Sequence, residues 1–114
     1  MKDDRVYLEH ILDCLEAITN YTCEGREMFL RDRKTHQATL RELQELAESA
    51  QRLSPSLRER HPEVPWREIA GFRNVLVHNY LGLNLSRVWE IIERDLPVLK
   101  RTMTAALKAL ETEE

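Results

Sequence analysis

A chain of 114 residues has room for one domain with a modest core and little for a second. It is 42% hydrophobic and 32% charged, with only 3 Gly and 4 Pro, a balance that favours helices. Its net charge of −3 argues against avid non-specific nucleic-acid binding, which needs basic surface to displace counterions.

The first helix is expected from about Asp3 to Tyr21. Val6, Leu8, Ile11, Leu12, Leu15 and Ile18 recur there at helical spacing, and Asp3 and Asp4 sit where negative charge favours a helix start. Gly25 then serves as a stop or turn residue. A second helical region covers roughly 26–53. Met28, Phe29 and Leu30 open it as a separate turn before "RDRK". Leu40, Leu43, Leu46, Ala47, Ala50 and Leu53 then form one stripe. "GREMFLRDRK" also gathers Arg26, Arg31, Arg33 and Lys34 against Glu27 and Asp32, a pattern that reads as a solvated turn. Ser54–Pro55 reads as an N-cap and first helical residue, so a short helix follows, ended by Pro62 and Pro65.

A third helix runs from Pro65–Trp66 to about His78. The last helical region starts after Asn84 or Ser86. Pro97 should kink it or divide it in two, with Asp95 capping the second half, and Leu96, Leu99, Met103, Ala106, Leu107 and Leu110 should line one face. The whole, residues 1–114, is expected to be a single all-α, up-and-down bundle of four to five helices.

No apolar run approaches the roughly 20 residues that span a bilayer, and "MKDDRVYLEH" lacks the apolar segment of a signal peptide. A cytoplasmic protein is expected, with no membrane partner. Cys14 and Cys23 form neither a disulfide framework nor a CxxC pair, and Cys14 reads as a small core residue. Two Cys and four scattered His offer no clustered ligand spacing, so neither a metal site nor a cofactor is expected.

"FRNVLVHNY", residues 72–80, holds the densest chemistry. At about 100° per residue, Ile69, Phe72 and Leu76 share the core face, while Gly71, Asn74 and His78 lie opposite. Arg73 falls between, roughly 140° from His78 by the same geometry. Val75 and Val77 make this helix apolar beyond one stripe, so a second covering is expected, by another copy of the chain. Gly71 costs a helix about 1 kcal/mol relative to Ala, which is tolerable where a partner or ligand must come close. Arg-x4-His alone says little, because the chain holds it three times, at Arg5/His10, Arg31/His36 and Arg73/His78. Only the third ends an apolar helix at a Gly-containing turn. A bland reading stands beside the catalytic one: His78 capping carbonyls, Arg73 covering apolar surface with its stem, Asn74 on the surface and Tyr80 a core aromatic.

"WREIAGFRNVLVHNYLGLNLSRVWEIIERDLPVLK", residues 66–100, resembles the HepT-like branch of the HEPN superfamily, whose hallmark appears here as Arg-x4-His-x-Tyr. "YLEHILDCLEAITNYT" and "LRELQELAESAQRLSPSLRERHPEVPW" resemble that family's first and second helices, so the likeness covers almost the whole chain. Asn79 stands where a small residue is usual, Leu81 where Phe is, and "AES" where the second helix often reads Gly-Glu-Ala, keeping Glu48.

The resemblance implies a metal-independent endoribonuclease toxin, homodimeric, with two motifs facing across a cleft. It implies RNA as substrate and, as partner and antitoxin, an MntA-like minimal nucleotidyltransferase. On this likeness the catalytic pair is Arg73 and His78, Asn74 is the supporting polar residue, and Tyr80 receives AMP from the antitoxin. The same pattern admits a non-catalytic dimeric scaffold or substrate for a minimal nucleotidyltransferase.

Overall fold

Asp3 caps the first helix: its Oδ1 accepts from the Val6 backbone N–H at 3.4 Å. The computed structural model describes residues 3–113. Helix α1 spans Asp4–Tyr21 and buries Leu8, Ile11, Cys14, Leu15 and Ile18, four of the six apolar positions expected of its stripe together with Cys14. Leu12 is partly buried, whereas Val6 lies on the rim of this face, 45% exposed. Gly25 turns the chain with φ +96°, in the region that favours glycine. It leads into the short α2, Arg26–Arg31.

A single residue separates α2 from α3, Arg33–Arg52. Asp32 is both the end of the one and the cap of the other, its carboxylate accepting from the Thr35 N–H at 3.0 Å. Phe29 is fully buried and holds this corner, its ring edge-on to His36 and 5.5 Å from Trp89. Ser54 caps α4, Pro55–Arg60, as its Ser–Pro pair suggests. Helix α5 covers Trp66–His78. The Trp66 indole N–H donates to the carbonyls of Arg58 (3.1 Å) and His61 (3.0 Å), tying the first turn of α5 to the connector before it.

A 3₁₀ turn, Tyr80–Gly82, leads to Asn84, which caps α6, Leu85–Glu90. Of the two outcomes expected at Pro97, a kink or a division, the division does not occur. The backbone stays helical through a π turn at Ile91–Asp95 into α7, Leu96–Glu113. Asp95 lies within that helical backbone and is not a cap. Pro97 lacks an N–H and its ring crowds the preceding turn. Widening that turn, with the Leu96 N–H reaching back to the Ile91 carbonyl, accommodates the ring without a break.

The long helices run up and down, as expected. Helix α1 packs on α3, α3 carries α5 on its other side, and α7 returns along α1. Asp4 accepts from the backbone N–H and hydroxyl of Ser54, both at 2.7 Å, so α1 starts beside α4. Arg60 meets Glu113 at 3.3 Å, so α7 ends there too. At the other end Arg26 donates to Ser86 at 3.3 Å, tying α2 to α6. Helices α5 and α7 stand apart, and a groove runs between them. No helix among the described residues is long and apolar enough to cross a membrane.

Candidate functional site

The three Arg-x4-His copies have three different fates. His10 Nδ1 lies 2.6 Å from Ser49 Oγ, and its Nε2 lies 3.7 Å from Cys14 Sγ, so this imidazole helps join α1 to α3. His36 Nδ1 donates to the Phe29 carbonyl at 3.0 Å and clamps α2 onto α3. Both rings have structural work. His78, by contrast, is exposed at the last position of α5, and its ring hydrogen-bonds to no other described residue. Its ring is available to a ligand.

Arg73 emerges from α5 towards α3. Its Nη1 donates to Asn74 Oδ1 at 3.3 Å. Its Nε lies 3.8 Å from Glu48 Oε1, an ion pair beyond hydrogen-bond length, and finds no closer acceptor. Gln44, one turn back on α3, donates to the same Glu48 oxygen at 3.2 Å and fixes the carboxylate. The guanidinium is therefore aimed by α3 but loosely held. The structure brings Arg73 together with Asn74 and Glu48. It does not bring Arg73 or Asn74 into hydrogen-bond contact with His78. Glu48 was visible in the sequence only through the family pattern, and Gln44 carried no signal beyond its i, i+4 spacing to Glu48.

Tyr80 opens the 3₁₀ turn and is 39% exposed. A Cβ at Gly82 would come within 2.9 Å of the Asn79 side chain, so glycine lets the turn close on Asn79. Around these residues the single chain leaves apolar surface bare. Val75 and Val77 are over a third exposed and Leu81 wholly so. A Cβ at Gly71 would meet nothing within 4 Å, so no neighbour in this chain demands glycine there.

Fold and site together define an all-helical bundle that presents an unencumbered histidine, an arginine and a tyrosine at the end of one helix. The family described as Ribonuclease HepT-like matches residues 11–106, and the chain belongs to that family. It is similar to "Probable ribonuclease HepT" of Thermococcus cleftensis, 38% identical over 82% of this chain and 86% of that one. It is likewise 38% identical to "Putative RNase TTE0752" of Caldanaerobacter subterraneus subsp. tengcongensis, over 95% of this chain and 97% of that one. The likeness to "Gamma-glutamylcyclotransferase and putative RNase MJ0434" of Methanocaldococcus jannaschii is 32% over 96% of this chain, which spans half the length of that protein. No solved structure matches the chain.

Proposed function

We propose that this protein is a metal-independent endoribonuclease toxin whose active site is composite, built from Arg73 and His78 of two copies of the chain. The observation that carries the reading is the exposure of His78 on a bare apolar helix end, while the other two Arg-x4-His histidines are engaged in packing. The family and the names of its relatives supply the RNA substrate.

In this mechanism the 2′-hydroxyl of RNA attacks the adjacent phosphorus. One His78 takes the 2′-proton, the P–O5′ bond breaks, and a second His78 gives a proton to the departing 5′-oxygen. The products are a 2′,3′-cyclic phosphate and a 5′-hydroxyl. Imidazole suits both transfers near neutral pH. Arg73 supplies a permanent charge and a planar fork for the phosphorane oxygens. Its contact with Glu48, at 3.8 Å, is longer than a hydrogen bond, so phosphate need displace no short bond there. Asn74 sits beside it to donate to phosphate. Dimerisation supplies the second imidazole and covers Val75, Val77 and Leu81.

The family resemblance extends the proposal to regulation. An MntA-like nucleotidyltransferase transfers AMP from ATP to the exposed Tyr80 hydroxyl and releases pyrophosphate. The added phosphodiester competes with RNA phosphate for Arg73 and repels it. The site is expected to work in the cytoplasm, with no cofactor.

The test is RNA cleavage in EDTA by wild type, His78→Ala and Arg73→Ala, with sedimentation alongside. Wild type should cut, and His78→Ala should lose about 10²–10⁴-fold of the rate, the usual worth of a general acid–base. All three should be dimers. Equal cleavage by the three would assign the activity to a contaminant. An unmodified wild type that cuts no RNA, yet accepts AMP on Tyr80, would favour the scaffold reading.

A further inference from the structure

The groove between α5 and α7 has a volume of about 500 Å³ and opens to solvent. Its floor is α3, with Leu46 and Ala47, and its walls carry Ile69 and Phe72 from α5 and Leu99 from α7. An up-and-down bundle ordinarily buries such faces helix against helix. Here α5 and α7 are not packed closely together, and the groove between them leaves apolar side chains of both accessible.

Every charged residue that lines the groove is acidic. Glu63 stands before α5, Glu68 in its first turn, and Asp95 at the end of the π turn; all three side chains are exposed, and no Lys or Arg lines the groove. We propose that this groove docks an amphipathic helix of a second protein, apolar on the face it inserts and bearing Lys or Arg along its flanks. The apolar row enters between Phe72 and Leu99, and the basic flanks meet the three carboxylates. This is helix-in-groove recognition with charge setting orientation. A second copy laid groove to groove about a twofold axis would instead set one acidic rim against another, with no base on either lining. The groove side of α5 is also not the side that presents Asn74 and His78. Its occupant therefore lies behind the candidate site and leaves it open.

The experiment uses the full chain and a labelled Leu/Lys peptide of about 18 residues, enough for five helical turns. Fluorescence anisotropy follows binding, and methyl NMR of Ile69, Ile91 and Leu99 locates it. One-to-one binding should be saturable and should shift those methyls. The rim variant Glu63→Gln/Glu68→Gln/Asp95→Asn should weaken it by about tenfold or more, whereas the remote Glu9→Gln/Glu16→Gln/Glu111→Gln should stay within about twofold. A Leu/Glu peptide should not bind. Absence of saturable binding overturns the proposal. So does equal weakening by the two variants, which would mark adhesion to an acidic surface. If sedimentation shows the rim variant changing oligomeric state, a second copy occupies the groove and the proposal fails.

Discussion

Burial pushes the Cys14 thiol from 9.0 up to about 12, and the nearby Glu42 carboxylate adds to the effect. Cys23 is exposed. A thiol reagent at neutral pH should therefore label one cysteine per folded chain, Cys23, and reach the second only on unfolding; counting labelled sites by mass spectrometry checks this. The raised value also fixes a pH dependence. The folded state favours the neutral thiol, so Cys14's contribution is fully present below pH 9. It is lost as the pH climbs towards 12. Denaturant titrations across that window should show stability falling more steeply for wild type than for Cys14→Ala. The core role of Cys14 was readable from its place in an apolar helical pattern. The separate fates of His10, His36 and His78 were not. Spacing is identical in all three copies, and only the tertiary partners Ser49 and the Phe29 carbonyl show which rings are occupied.

Two local devices set where α4 and α5 begin, and each is open to mutation. Trp66→Phe keeps an aromatic ring but removes the pyrrole half of the indole with the N–H shared by the Arg58 and His61 carbonyls. It should cost about 1 kcal/mol, the usual worth of such a bond, and lower the melting temperature. Ser54→Ala removes a cap from the Leu57 N–H and a donor to Asp4. It should cost about 1–2 kcal/mol by chemical denaturation. Caps and prolines made most element boundaries legible: Ser54–Pro55, Asn84 and Gly25 all act where their chemistry places them. The π turn was not legible. Pro97 announces a conflict with a straight α-helix, but dividing the helix and widening a turn both relieve it. The widened turn is what forms, with Val88, Ile92 and Leu96 all in the core.

Across the molecule, the four helical passes and their order follow from hydrophobic periodicity and short connections. The groove does not, because the same apolar stripe on α5 reads as core whether or not α7 closes over it. Gly71 tests the proposed assembly at this scale. Nothing in the chain crowds it, so Gly71→Ala should stabilise the helix by about 1 kcal/mol. If a second α5 approaches there, the same methyl should weaken the dimer. A higher melting point with a lower association constant by sedimentation is the expected pair of results. The links of Asp4 to Ser54 and of Arg60 to Glu113 carry a topological consequence. They bring both ends of the described chain to the two ends of α4, a helix of six residues and about 9 Å. That corner lies at the start of α5, about 20 Å along the helix from His78. The fold is thus nearly a closed ring. A short linker could join its ends, new termini could open at the Gly25 turn, and a fluorescent domain fused at either end would leave the candidate site unobstructed.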